Sequence, residues 1–335
     1  MASARFLEIL RCNGVDQNAT PFPGMVVPFG GENQVVLETA GMDLEVQRST
    51  LNLQEFDGYQ LTTGLLQGVR DELSKPGTDS QQRDAFMPAF SWQKPRFFRV
   101  LGTIKTGFPG TLVNVVPRSR HGTPAATLQV AVVDRIVVKV AVRNVRARDR
   151  QGIMRYHAKR PCDPATEVGR MNAIWRPQTN IIFELVPSTD LDVDHNDPKT
   201  REGLRLAYGM KTPPAFSPES TVWADKNSGW FAQHRVPGTH MTFFVVHKLL
   251  SGGDPVYGKG GRTPNGTMNR QSGVGFISDI RLPSTFAHEA GHFIGDMPHE
   301  GTDIKLLMRD EGSGYQIPFA LAKRFRESVA KRKVL

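Results

Sequence analysis

The chain has little cysteine and no long apolar run. Its two cysteines, Cys12 and Cys162, lie far apart, so the sequence contains neither a disulfide framework nor a paired-cysteine metal site. No stretch reaches the roughly 20 apolar residues that a membrane-crossing helix needs, and residues 1–14 lack the apolar segment of a secretory signal. We therefore expect neither a membrane span nor a signal peptide.

The positive charge of the chain is concentrated in two places. The formal net charge is +9, from 42 Lys and Arg against 33 Asp and Glu. Residues 135–160 contain nine basic residues and one acidic residue, and the last thirteen residues contain six and one. A basic chain is typical of nucleic-acid binding, but over 135–148 the bases follow a strand pattern without interleaved aromatic residues. We therefore expect no nucleic-acid partner, and two basic faces suited to an acidic partner or surface.

Length and patterning indicate two domains. With 335 residues, 39% of them hydrophobic, the chain is globular in composition and long enough for two cores. In the first part, short apolar runs separated by Gly, Pro and Asn clusters are typical of an all-β sandwich. These runs lie at residues 34–40, 44–47, 97–101, 111–116 and 127–133. We predict an α+β chain with a β-sandwich over 1–133 and a second domain over 134–335.

The second domain has the pattern of a strand–helix–strand unit. Apolar and basic residues alternate from Ile136, which predicts a strand. Asp163 followed by Pro164 predicts the start of a helix, because Asp caps helices and proline suits their first position. Further strands are predicted at 181–186, 241–249 and 274–278, which together indicate a mixed sheet. The glycine-rich segment 251–272 is predicted to be a mobile or cleft-forming loop.

Residues 284–300 contain the densest group of chemically active side chains. His288, Glu289 and His292 form the motif H-E-x-x-H. Residues four apart share one face of a helix, so the two histidines can bind one metal ion while Glu289 reaches a water molecule beside it. The segment Pro283-Ser284-Thr285 is predicted to cap the start of this helix, and Gly295 to end it before a sharp turn. Such a site activates water for attack on a carbonyl, with a carboxylate taking the proton.

This motif resembles the signature of the metzincin zinc metallopeptidases, H-E-x-x-H-x-x-G-x-x-H followed by a methionine turn. The two histidines, Glu289 and Gly295 match position by position, and residues 306–309 are similar to the methionine turn. The resemblance implies a zinc ion as cofactor and Glu289 as the general base. It also implies that Gly295 and Met308 support the site, Met308 from beneath the metal.

The third ligand departs from the family pattern. The position of the family's third histidine is occupied by Pro298, and His299 follows one residue later, which gives H-E-x-x-H-x-x-G-x-x-x-H. We predict His299 as the third ligand. Asp296 and Glu300 are the alternatives, because carboxylates also bind zinc.

The resemblance extends over roughly residues 135–326. Residues 171–185 are similar to the first helix and second strand of metzincin domains, and residues 274–278 to the edge strand above their cleft. It implies that an extended peptide adds to this strand through main-chain hydrogen bonds. The substrate-binding residues would then be Val274, Gly275, Phe276, Ile277 and Ser278.

The sequence predicts a zinc-dependent endopeptidase that acts on protein or peptide substrates. The first domain resembles immunoglobulin-like modules, and such a module before a metzincin-like domain is similar to bacterial secretion-system effectors, including type VI toxins. This resemblance implies an exported antibacterial effector that acts in the envelope or periplasm of a target cell, and otherwise a cytoplasmic enzyme. Its partners would include a component of the secretion machinery or a cognate immunity protein. The alternative is a non-catalytic binding or delivery protein with a degenerate zincin scaffold, which the displaced histidine favours.

Overall fold

The computed structural model of the chain is α+β, as predicted, with sheets predominating. It describes residues 5–7, 14–38, 42–46, 49–56, 95–117, 124–148, 151–152, 154–158, 160–194, 231–246, 266–279, 281–301, 303, 306–309 and 314–332. Cys12 and most of the glycine-rich segment lie outside these residues. No helix within them is long and apolar enough to cross a membrane.

The chain divides into two compact units, and neither is continuous in sequence. The first comprises Met1–Ile136, Asn172–Ile182 and Glu300–Ala330. The second comprises Val137–Met171, Phe183–His299 and Lys331–Leu335. The sequence-based domain boundary at residues 133 and 134 stays a prediction.

The first unit contains two four-stranded sheets. One has the order β1 (Arg5–Leu7), β3 (Glu32–Glu38), β6 (Pro95–Gly102), β5 (Leu51–Phe56). The other has the order β2 (Gly24–Pro28), β8 (Ala126–Val133), β7 (Thr111–Pro117), β4 (Met42–Val46). Buried side chains from both sheets, such as Leu37 and Val100 from one and Val27 and Val115 from the other, form one hydrophobic core. The sandwich arrangement follows from these alternating inward-facing residues, and its immunoglobulin-like identity stays a prediction.

Among the described residues, the first unit also contains residues 172–179 of the helix Pro164–Thr179, and the helix Phe319–Val329. These two segments meet where the Trp175 and Phe325 rings lie 4.8 Å apart. Gln178 is buried between them and the chain before the second helix: its Nε2 donates to the Tyr315 carbonyl at 2.8 Å, and its Oε1 accepts from the Ile317 N–H at 2.7 Å. These contacts bring segments more than a hundred residues apart into one unit.

The second unit is built on a mixed sheet. Its main path is β10 (Met154–His157), β9 (Ile136–Arg148), β13 (Met241–Val246), β15 (Val274–Ser278), β14 (Gly266–Asn269), and β9 also pairs with β11 (Ile181–Leu185) and β12 (Leu191–Asp194). The strands β9, β13 and β15 run parallel, whereas β14 is antiparallel to β15. Every residue of β13 and β15 is buried, as expected for inner parallel strands.

The structure confirms the predicted start of the first helix. This helix begins at Pro164, and the Thr166 N–H donates to Oδ2 of Asp163 at 3.0 Å. The preceding Cys162 is a buried free thiol, and burial raises its pKa to about 12.

The H-E-x-x-H motif lies on the helix Thr285–Gly295, which we call the histidine helix. Ser284 is its N-cap residue, but the side chain makes no capping hydrogen bond. Instead, Oγ1 of Thr285 accepts from the Leu282 N–H at 2.9 Å. The helix ends at Gly295 as predicted, and the left-handed conformation falls on the next residue, Asp296, with φ 47°.

Candidate metal centre

His288, His292 and His299 lie together in the second unit. Their ligand atoms all lie within 4.8 Å of one another, and Nε2 of His288 is 3.1 Å from Nε2 of His292. Two imidazole nitrogens on one tetrahedral zinc ion, at Zn–N distances of about 2.0–2.1 Å, stand about 3.3 Å apart. The cluster could therefore hold a metal ion, and within the described residues it is the one such group of His, Cys, Asp or Glu side chains.

The positions of the three histidines in the sequence explain how their rings come together. His288 and His292 are one helical turn apart on the histidine helix, so their side chains emerge from the same face. His299 comes from the chain after the helix, which reverses at Asp296. His288 is buried, His292 is half-buried and His299 is exposed, so the third histidine lies at the solvent side of the cluster.

A hydrogen bond fixes the orientation of His292. Its Nδ1 lies 2.8 Å from the Met297 carbonyl oxygen, and a carbonyl can only accept, so Nδ1 carries the proton and Nε2 presents its lone pair to the cluster. Burial lowers the pKa of His292 to about 4, with the charges of His299 and Arg270 acting in the same direction. The ring is therefore neutral near pH 7, which is the form that binds a metal, and a carbonyl on the other nitrogen is typical of metal-binding histidines.

Glu289 is buried and lacks a partner for one carboxyl oxygen. Its Oε2 is inaccessible and makes no hydrogen bond, although buried polar atoms are generally paired. Burial raises the pKa of Glu289 to about 8. Such an orphaned carboxyl, on the helix that carries His288 and His292, fits a site completed by a metal ion and a water molecule, which would supply its partner.

Gly266 leaves room for the Glu289 side chain. A Cβ atom added at Gly266 would lie 2.8 Å from both Cγ and Oε1 of Glu289. The strand β14 therefore passes against the carboxyl group, and only glycine permits this approach without displacing it.

The two alternative third ligands have other partners. Asp296 is exposed, and its Oδ1 lies 3.8 Å from the Arg332 guanidinium. Oε1 of Glu300 lies 3.1 Å from Nη1 of Arg324. Neither carboxylate belongs to the group of side chains that could hold a metal ion, whereas His299 does, and its role as the third ligand stays a prediction.

Met308 is buried in the first unit. It lies in the turn at residues 306–309, and its carbonyl accepts a hydrogen bond from the Glu300 N–H at 2.8 Å. Its predicted position beneath the metal stays a prediction.

The predicted substrate-binding strand is not an edge strand, so its expected place at the edge of the sheet is wrong, and its role in substrate binding stays a prediction. The strand β15, which contains Val274, Gly275, Phe276, Ile277 and Ser278, pairs with β13 on one side and with β14 on the other. Its main-chain groups are already used, and all five residues are buried. Within the described part of the sheet, β14 is the edge strand beside the histidine helix.

The strand β14 was not predicted, because its residues belong to the glycine-rich segment 251–272, for which a loop was expected. A signal was present in the turn chemistry: Oδ1 of Asn269 accepts from the N–H groups of Gln271 and Ser272, at 3.0 and 2.9 Å. Asparagine often organises a turn in this way, and Gly273 follows with φ 65°. A hairpin between β14 and β15 could have been predicted from these residues.

The chain matches no protein-family model and no curated protein sequence.

Proposed function

We propose that the chain is a zinc-dependent endopeptidase. The observation that carries this proposal is the buried Glu289 carboxyl, with its unpartnered Oε2, on the helix that also carries two of the three converging histidines. A purely structural histidine cluster needs no orphaned acid, whereas metal-assisted hydrolysis needs a base at this position.

His288, His292 and His299 would hold the metal. Three imidazole nitrogens are the donor set of catalytic zinc sites that keep a fourth position open. When bound, zinc supplies Lewis acidity, which lowers the pKa of water to about 7 and polarises a substrate carbonyl. His299, at the exposed side of the cluster, leaves the substrate an approach from solvent.

Glu289 would move the proton. Its Oε2 would accept a proton from the attacking water and donate it to the nitrogen of the departing amine, so that the peptide C–N bond breaks. Burial makes the carboxylate a stronger base than an exposed one, because desolvation raises its pKa. Gly266 would keep the carboxyl group in place by leaving no side chain in its path.

The edge strand β14 would orient the substrate. Its far side is unpaired within the described sheet, and an extended peptide can add to such an edge through main-chain hydrogen bonds. Because Gly266 lies against Glu289, a carbonyl of a peptide aligned with β14 would come close to the base.

Metal content and cleavage together test the proposal. We expect about one zinc per chain after loading, cleavage of a mixed-sequence peptide library, loss of cleavage with a chelator and recovery on adding zinc. Fewer than about 0.1 zinc per chain would overturn the metal site. Full zinc binding without cleavage of any peptide would instead support the non-catalytic alternative.

Replacement of Gly266 by alanine is expected to lower kcat by about 10–100-fold while zinc content stays unchanged. The added methyl would displace the Glu289 carboxyl, and small misplacements of a catalytic group cost rates of this order. Steady-state kinetics and metal analysis of the same sample measure the two quantities.

Gly169→Ala is the matched control for this variant. A Cβ at Gly169, on the helix Pro164–Thr179, meets no atom within 4 Å, and alanine is favoured over glycine in helices. Equal loss of activity in both variants, or loss of zinc from Gly266→Ala, would contradict the role given to Gly266.

A further inference from the structure

Arg270 directly follows the edge strand β14, and its main chain is held against the histidine helix. The Arg270 carbonyl accepts a hydrogen bond from Nη1 of Arg332 at 3.0 Å. The same Arg332 guanidinium lies 4.7 Å from the centre of the Phe293 ring, on the residue after His292. Arg332 therefore ties the end of the edge strand to the helix that carries two of the histidines.

The charge of Arg270 is available to a ligand. Its side chain is exposed, and no carboxylate among the residues that the structure describes pairs with it. The exposed acid in this region, Asp296, faces Arg332 instead, at 3.8 Å.

The distance between Gly266 and Arg270 along β14 determines which substrate residues the Arg270 charge would contact. Gly266 lies against Glu289, and a strand rises about 3.3–3.4 Å per residue, so Arg270 stands about 13 Å further along the edge. The arginine side chain can reach back by part of that distance. A peptide aligned with β14 would therefore present residues two to four positions from the cleaved bond to the guanidinium.

We propose that Arg270 forms a carboxylate-binding subsite, which makes the enzyme prefer substrates with a carboxylate two to four residues from the cleaved bond. This inference rests on the proposed endopeptidase function and names its substrate class. The carboxylate comes either from an Asp or Glu side chain or from a free chain terminus, and both offer the same planar pair of oxygens to a guanidinium.

Peptides that differ at one position test the preference. In zinc-loaded protein, C-terminally amidated peptides with Glu, Gln or Lys at each of these positions are compared by kcat/KM, and a second set carries a free C-terminal carboxylate at the same distance. We expect Glu over Gln by about three- to tenfold at one position, limited by solvent screening of an exposed charge. An advantage confined to the free-carboxylate set assigns the subsite to a chain terminus.

Variants of Arg270 decide whether this residue is responsible. Arg270→Gln is expected to bring the Glu-to-Gln ratio near one, and Arg270→Glu to favour Lys. Arg99→Gln, an exposed arginine on β6, is the matched control and should keep the ratio of the parent. A ratio that survives in Arg270→Gln, or a parental ratio near one in both peptide sets, overturns the proposal.

Peptide binding to Glu289→Gln separates this proposal from the proposed function. Calorimetry with the same peptides measures selectivity without turnover, and the Glu peptide is expected to bind about three- to tenfold more tightly. Selective binding without cleavage by the parent would sustain the subsite and refute the endopeptidase. Cleavage by the parent without selective binding would sustain the endopeptidase and refute the subsite. Each result therefore refutes only one of the two proposals.

Discussion

Replacement of Glu289 by glutamine is expected to lower kcat/KM for peptide hydrolysis by about 10³-fold, because general acid–base catalysis contributes about 10²–10⁴-fold. Glutamine has the shape of glutamate and fills the space beside Gly266, but it cannot take a proton from water. Zinc content should stay at that of the parent, since none of the metal-binding nitrogens changes. Progress curves with a cleaved peptide, together with metal analysis, measure both effects.

Folding stability provides an independent readout for the same variant. A buried carboxyl is costly to ionise, as the raised pKa of Glu289 shows, whereas the glutamine amide carries no charge. Glu289→Gln should therefore melt at the same temperature as the parent or higher, which excludes unfolding as the cause of lost activity. Glu184→Gln, at an exposed position of β11, is the control. Cleavage by Glu289→Gln above a tenth of the parental rate would show that another group is the base.

Replacement of His299 by alanine is expected to weaken zinc binding by about 10²-fold or more. Protein zinc sites bind with apparent free energies of about 10–16 kcal/mol, and the loss of one of a few ligands removes a substantial share. The rate of peptide hydrolysis should fall as zinc occupancy falls, and it should recover partly at high zinc concentration. Competition with a zinc-binding dye measures the dissociation constants.

The two neighbouring carboxylates serve as matched controls for this prediction. Asp296→Ala and Glu300→Ala should each change zinc affinity by less than about threefold, because exposed ion pairs contribute little and both carboxylates face arginines. If one of these variants loses zinc while His299→Ala retains it, the third ligand is that carboxylate and the interpretation of the histidine cluster is wrong.

The sequence was sufficient to predict features that depend only on neighbouring residues. The H-E-x-x-H spacing places His288 and His292 on one helical face whatever surrounds the helix, and the structure brings their Nε2 atoms to 3.1 Å. The Asp163 cap and the bounds of the strand Val274–Ser278 follow from the same kind of short-range pattern. These elements could be predicted because each depends on a few consecutive residues.

Features that depend on contacts between distant segments, such as which strands pair, could not be predicted from the sequence in the same way. The apolar run at 274–278 looks the same whether one or both of its edges are paired, and only the position of β14 makes it an inner strand. The extra residue before His299 was similarly ambiguous. The chain accommodates it through the left-handed Asp296 and the following turn, and a signature defined by fixed spacing does not describe such a turn.

The hydrogen bond between His292 and the Met297 carbonyl has a kinetic consequence. It joins a histidine on the helix to the short connection that carries His299. If this connection moved away from the helix, His292 would lose the partner that fixes its tautomer together with His299. Two of the proposed ligands would then be lost together, so the lifetime of a bound ion would follow the opening rate of residues 296–299 rather than the strength of any single metal–nitrogen bond.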